Sequence, residues 1–386
     1  MEHLNLKINE INENIVTVLV DGYIDSNTAN YFGDFVQKVF NDNLNKKVII
    51  DFKNVRMITS ACIRWLLTFE KKHYDFELTN VSREVFTVLK LTGVSAVLDI
   101  NQEPFSICTD GCKVLGKGFS SEVFKLDDET IAKVYYNVPD IDVAIRERMI
   151  AKQAFVKGVP TEISFGMCES NGMPGLVYEL VNAKTLISEI AENEENIDKY
   201  IKDYVSLVKV VHKFDNEGLT GIYDKKRDFI ENAKYVSQFI PSYCYDAIIK
   251  LKDEIADNNH LLHGDPHPAN VMLTDKGMIF IDLSDMGFGD EKFDLMFLYR
   301  TLVLFSLLPN NKYAIEPERC HKLWDRFAEE YYKDKDEEYT QKQLYEIKLL
   351  ALNSIVNRFC LKNPDSFESQ FLIKELIKAV DDGCYK

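Results

Sequence analysis

Residues 263–272, HGDPHPANVM, carry a carboxylate at Asp265 and an amide at Asn270. A second carboxylate, Asp282, closes the apolar run MIFID twelve residues later. A loop that only turns the chain can be made from Gly, Pro, Asn and Asp. This one adds two histidines and ends beside a strand. Asp265 can accept the proton of an attacking hydroxyl, while Asn270 and Asp282 offer the hard oxygen ligands that suit Mg²⁺. Phosphoryl transfer from a nucleoside triphosphate needs such a set, a cation on the phosphates and little covalent help.

The remaining groups stand upstream. Gly116 and Gly118 in LGKGFSSEV let a hairpin turn lie close to phosphates, with Ser120 or Ser121 adding donors. Lys133, in TIAKVYY, is placed to reach the α- and β-phosphates. Glu147, on the following helical stretch, can hold Lys133 in an ion pair. Each has a plainer alternative when taken alone. The glycines make an ordinary hairpin turn, Lys133 a solvated strand residue and Glu147 one charge of a wet helix face. His263 reads as a structural hydrogen-bonder bracing the loop, and His267 as a second brace bonding backbone carbonyls. A zinc site at the two histidines lacks further ligands.

The elements that must position these groups follow from periodicity. Residues 112–135 read as three short strands, followed by a helix over 143–158 and two strands, EISFGMC and GLVYEL. After about residue 185 the pattern is helical except around 261–285. The apolar stretch 295–308, interrupted by Arg300, reads as a buried helix and is too short for a membrane span. Residues 1–105 form a separate α/β pattern. Strands are expected at 15–25, 47–52 and 76–81, and helices at 28–40, 60–74 and 83–94. Residues 101–111 are the expected linker.

The set GKGFSSEVFK, IAKV, a helical Glu, VYEL, HGDPHPANVM and IDLSD resembles the aminoglycoside phosphotransferase and choline kinase-like branch of the protein-kinase fold. The likeness spans roughly 112–300 and rests on six motifs in order. It implies an α+β kinase-like fold with a small β-rich lobe (106–182) and a large helical lobe (183–386). It implies ATP and Mg²⁺ as cofactors and Asp265 as catalytic base. Asn270 and Asp282 become Mg²⁺ ligands, and Lys133 with Glu147 the phosphate-positioning pair. Glu179–Val181 become a hinge that bonds adenine through its backbone, and Asp294 a support for the loop. The glycine loop lacks the third glycine of protein kinases, and Pro266 stands where this branch has Leu or Phe.

Residues 1–105 resemble the STAS domain of anti-sigma factor antagonists, through DGYID, VIIDFKNVRMITSACIRWLL and NVSREVFTVLKLTGVSAVLDI. That resemblance implies Ser60, in the first turn of a helix, as a phosphorylation site. A phosphate there meets unpaired N–H groups and the positive end of the helix dipole. Ala61 and Cys62 depart from the family pattern, and the alternative role for Ser60 is an N-cap.

Composition bounds the partners. The 386 residues hold 46% hydrophobic and 28% charged residues with a formal net charge of −16. That is a folded composition, opposed to a general nucleic-acid surface. The acidic segments 188–196 and 324–339 favour a cationic small-molecule acceptor, and the plainer account of them is solvated helix faces. No export signal or span is evident at the N-terminus, so a cytoplasmic protein with reduced cysteines is expected. Cys108 and Cys112 lack partners for a metal site. The leading expectation is a phosphotransferase for a small-molecule hydroxyl with a regulatory or docking STAS domain. The alternatives are a switch that phosphorylates a protein, such as Ser60 of a STAS domain, to control an anti-sigma-like partner bound by the STAS domain, and a nucleotide-sensing scaffold.

Overall fold

The computed structural model describes residues 4–98, 100–101, 105–118, 120–193, 195, 197–309 and 315–383. Two compact units are present. One comprises Met1–Arg148 and Ile163–Leu180, the other Met149–Glu162 and Val181–Lys386.

The first unit contains two sheets. The N-terminal sheet is built from β1 (Asn5–Ile11), β2 (Ile15–Ile24), β3 (Lys47–Ile58), β4 (Phe76–Thr79) and β5 (Ile100–Asn101), in that spatial order. β2 to β5 run parallel and β1 pairs antiparallel with β2. Parallel neighbours need crossovers, here supplied by α1 (Ala29–Asp42), α2 (Ser60–Lys71) and α3 (Arg83–Leu91). Val16, Val18, Val20, Val48, Ile50 and Phe52 alternate into the core under the helices. α1 meets α2 closely at Gly33, where a Cβ would sit 2.1 Å from the Trp65 ring. The sequence pattern missed β1. Its alternation is confined to Leu6 and Ile8, and only Leu6 of its seven residues is buried, so the apolar pattern is too short to mark a strand.

The second sheet has the order β6–β10–β11–β9–β8–β7. Its strands are β6 (Phe105–Ser106), β7 (Lys113–Lys117), β8 (Ser121–Lys125), β9 (Thr130–Tyr135), β10 (Ser164–Ser170) and β11 (Met173–Glu179). The helix α4 (Ile141–Lys157) follows β9. Within the expected linker 101–111, residue 101 ends β5 and residues 105–106 form β6 of this sheet, while 107–111 lie outside any strand. β6 pairs with β10, and Ile107 N–H donates to the Glu169 carbonyl at 2.9 Å. Residues 102–104 of that linker lie outside the described residues.

The second unit is helical around two small sheets. Its helices are α5 (Leu186–Glu192), α6 (Ile197–Val211), α7 (Lys225–Val236), α8 (Ser242–Glu254), α9 (Lys292–Tyr299), α10 (Pro317–Tyr332), α11 (Glu337–Cys360) and α12 (Phe367–Gly383). The hairpin β15 (Val271–Thr274) and β16 (Gly277–Phe280) extends to β12 (Lys184–Thr185). β14 (Leu261–Leu262), β17 (Gly287–Phe288) and β13 (Tyr223–Asp224) make the other sheet. The stretch 295–308 is buried and helical, and changes from α to a π segment at Arg300–Leu304 and a 3₁₀ turn after it. None of the described helices is long and apolar enough to cross a membrane.

Candidate active site

In the first unit, Lys133 lies on the central strand β9, two residues before Tyr135 and therefore on the same face of the sheet. Its ammonium donates to both oxygens of Glu147, at 2.8 and 3.0 Å. The same carboxylate accepts from Tyr135 Oη at 2.5 Å and from Tyr178 Oη at 2.7 Å. Glu147 is 1% exposed. A buried carboxylate left unpaired is strongly destabilising, and here four donor contacts hold it. The pair expected from the sequence is formed, and the two tyrosines were missed. Strand alternation carried the signal for Tyr135, since it must share a face with Lys133.

The turn joining β7 and β8 contains Gly118 and Ser120, with Phe119 outside the described residues. Gly118 N–H donates to the Ser121 carbonyl at 2.8 Å, and Gly116 sits at a bulge in β7. A Cβ on Gly116 would meet nothing within 4 Å, whereas one on Gly118 would press on the Ser121 carbonyl at 3.3 Å. Ser120 is exposed and Ser121 buried. Glu179 ends β11, its N–H donating to the Ile163 carbonyl at 3.0 Å.

In the second unit the register of one hairpin sets Asn270 beside Asp282, two of the candidate site residues. β15 and β16 pair Val271 with Phe280, and one step further Ile281 N–H donates to the Asn270 carbonyl at 2.9 Å. This sets Asn270 opposite the residue before Asp282. Asn270 Nδ2 donates to the Asp265 carbonyl at 3.0 Å, so the amide oxygen is the atom Asn270 offers elsewhere. Asp282 has φ of 59°, a left-handed conformation that Asp tolerates better than most residues, and accepts from Ser284 Oγ at 2.8 Å. Both side chains present oxygen, which fits a hard cation such as Mg²⁺.

His263 braces the loop as its position implies. It is fully buried, its Nδ1 accepts from Asp265 N–H at 3.2 Å and its Nε2 donates to the Ile281 carbonyl at 3.2 Å. Burial pushes the imidazole below its ordinary value, against the opposing pull of Asp294, Asp265 and Asp282. His267 differs from the expectation of a carbonyl bond. Its Nδ1 accepts from Ala269 N–H at 3.1 Å, capping the 3₁₀ turn Pro268–Asn270, which leaves Nε2 facing Asp265 Oδ2 at 3.6 Å.

Asp294 holds the loop from below. Its carboxylate accepts from His263 N–H at 2.9 Å, Gly264 N–H at 2.7 Å and His212 Nε2 at 2.9 Å. Burial raises its pKa, but the bond and charge of His212, the charge of His263 and the Gly264 N–H bring it below the ordinary carboxylate value. Gly264 has φ of 87°, and a Cβ there would lie 1.8 Å from the Asp285 carbonyl oxygen, so only glycine fits. Beneath the loop, buried Tyr204 donates its hydroxyl to the Pro266 carbonyl. Asp285 is raised above its ordinary value, first by burial. Lys225 opposes this, and the charges of Asp265 and Asp282 add to it. Tyr204 and His212 gave no sequence signal, because nothing local marks a partner sixty or more residues away; Asp285 stood in the IDLSD motif without an assigned role.

Val181 opens the second unit, and its carbonyl accepts from Ala183 N–H at 2.8 Å. A cavity of 530 Å³ in the N-terminal sheet region is lined by Asp21, Lys53, Asn54, Val55, Arg56 and Ser82. In the helical unit, a cavity of 890 Å³ is lined partly by Tyr299, Trp324, Glu338, Tyr345 and Asp382, and by no catalytic-loop residue. Ser60 is the first residue of α2 and exposed. Thr59 holds the N-cap position, so Ser60 is not the cap, and the Thr59 hydroxyl donates to the Ile24 carbonyl at 3.1 Å instead of capping the helix.

Comparison with known proteins identifies both parts of the chain. The phosphotransferase enzyme family model matches residues 111–313 and the STAS domain model matches 7–104. Among solved structures, the GDP and kanamycin complex of APH(2")-IIIa is similar at 14% identity, covering 72% of this chain and 95% of that one with a TM-score of 0.50. The apo form of a thermostable mutant of aminoglycoside phosphotransferase APH(4)-Ia gives 14%, 70%, 94% and 0.50. At such identity the likeness speaks for the fold. No curated protein matches the chain. The chain belongs to the phosphotransferase enzyme family, with a STAS domain preceding the kinase-like fold.

Proposed function

We propose that the protein is an ATP- and Mg²⁺-dependent kinase acting on the hydroxyl of a small molecule, with the STAS domain (residues 1–105) as its regulatory or docking module. Residues 106–182 form the nucleotide-gripping lobe and 183–386 the lobe that carries the catalytic loop and the acceptor pocket. The observation that carries this reading is the loop itself. Asp265 is held through its backbone by His263 and Asn270, while its carboxylate is left to face His267.

In this reading Asp265 accepts the acceptor's hydroxyl proton as the oxygen attacks the γ-phosphorus and the ADP oxygen leaves. Lys133, fixed by Glu147, neutralises the α- and β-phosphates. The backbone around Gly116, Gly118 and Ser120 lies over them. The Glu179 carbonyl and the Val181 N–H read the adenine edge. Asn270 and Asp282 hold Mg²⁺, which when bound neutralises phosphate charge. The net charge of −16 favours a cationic acceptor such as an amino sugar.

A second reading, protein phosphorylation at Ser60, is favoured by one observation: that hydroxyl is exposed on the first turn of α2. Thermal-shift titration with Mg·ATP tests nucleotide binding, and ADP release over a panel of hydroxylated amines tests the acceptor. Mass spectrometry after incubation with ATP tests Ser60. Absence of any shift with Mg·ATP would end the kinase reading, and an unmodified Ser60 would end self-phosphorylation.

A further inference from the structure

Within the first unit the STAS sheet and the kinase sheet are joined by more than the chain. The ring of Phe165, on β10, packs against the STAS core and also against the small core of Ala132, Val134, Cys168 and Val177. Lys90 of α3 places its ammonium 4.0 Å from the centre of that ring, a contact worth more when shielded from water. Arg148, the residue after Glu147, donates from Nη2 to the carbonyl of Ile100 in β5 at 2.5 Å. Only residues 102–104 separate β5 from β6, which is itself hydrogen-bonded to β10.

Consecutive residues of an α-helix point about 100° apart. Glu147 is fixed to Lys133, Tyr135 and Tyr178 on one side of α4, and Arg148 is fixed to the STAS domain on another. Two such anchors on adjacent residues set the rotation of the helix about its axis. If the Arg148 anchor is lost, the first half of α4 can turn, and the Glu147 carboxylate can leave the lysine.

Resting on the kinase reading above, we infer that Arg148 is a positioning residue for the Lys133–Glu147 pair and that the STAS domain, through the Ile100 carbonyl, braces nucleotide binding. Coupling of this kind is reciprocal. Whatever shifts β5 or α3 changes nucleotide affinity, and bound nucleotide stiffens the STAS domain.

The test uses the full chain and a fluorescent ATP analogue with Mg²⁺. Arg148→Met is expected to weaken binding about tenfold, the order for one charge-assisted hydrogen bond. Arg148→Lys should recover part of the loss, and Lys90→Met should weaken binding about threefold. The KM of the acceptor should not move. Variants that melt earlier but bind nucleotide within twofold of wild type would overturn the brace and leave the kinase reading intact. A wild type that binds no Mg·ATP would overturn both.

Should Arg148→Met fail to fold, hydrogen exchange on the unaltered protein decides. Mg·ATP is expected to slow exchange in α3 and β5 as well as in residues 113–180. Protection confined to 113–180 would refute the coupling.

Discussion

Asp294→Asn is the sharpest perturbation of the catalytic loop, because it changes charge while keeping volume. The carboxylate serves three donors: His263 N–H, Gly264 N–H and His212 Nε2. Asparagine offers one carbonyl oxygen and an NH₂ that faces a donor. At least one buried N–H then lacks an acceptor, at about 1–3 kcal/mol for each such group. The bonds that survive pass from a charged to a neutral acceptor, which costs about 1 kcal/mol each. Taken together, a loss of about 4 kcal/mol is expected. In a body of some 200 residues that corresponds to a drop in Tm of roughly 8–16 °C. Differential scanning fluorimetry measures it, with near-UV circular dichroism to show that the variant is folded at the assay temperature. Asp294 does not touch substrate in this scheme, so turnover should fall while nucleotide affinity holds. A double cycle with His212→Asn should show a coupling of about 1–3 kcal/mol. A Tm within 2 °C of wild type, or a coupling near zero, would refute the claim that this carboxylate carries the loop.

Three further outcomes are expected. Asp265→Asn should lower kcat by about 10²–10⁴ while Mg·ATP still binds, since a general base contributes that much and no structural bond to its carboxylate is needed; steady-state kinetics with a nucleotide-binding control checks it. Gly264→Ala forces a Cβ to 1.8 Å from the Asp285 carbonyl at φ of 87°, and is expected to abolish soluble expression or lower Tm by more than Asp294→Asn does. For His263 the folded state prefers the neutral ring, so its pKa lies below the ordinary 6.5. Its stabilising contribution is therefore complete above about pH 6.5 and is lost as pH falls from there through the folded value. Tm measured between pH 8 and pH 5 should decline on the acid side, and His263→Gln should flatten that decline.

What the sequence displayed depended on whether the partner of each residue was local. Asp265, Asn270 and Asp282 lie within eighteen positions; the register of Val271 opposite Phe280 sets Asn270 beside Asp282, and the Asn270 amide reaches the Asp265 carbonyl. Lys133 and Glu147 are fourteen apart, and strand-then-helix order predicted their meeting. β1 escaped because its alternation spans only Leu6 and Ile8, and the two-residue strands β13 and β17 because they are too short to have a pattern. His212, Tyr204 and Lys225 escaped for a different reason. Each acts on the loop across a long stretch of chain, and a lone His in an apolar helix or a lone Tyr in a core looks the same whether or not a carboxylate waits above it.

The resulting division has a physical logic. Residues that touch substrate must be of fixed type and close spacing, so they form motifs. The groups that hold them need only deliver a donor or an acceptor to one backbone atom, and many sequences can do that from many places. Arg148 belongs to the second class: its target is the Ile100 carbonyl, which any residue at position 100 would provide. Contacts of that kind leave no signature on one of their two sides, and a brace between the STAS domain and the Glu147 helix is therefore visible only in three dimensions.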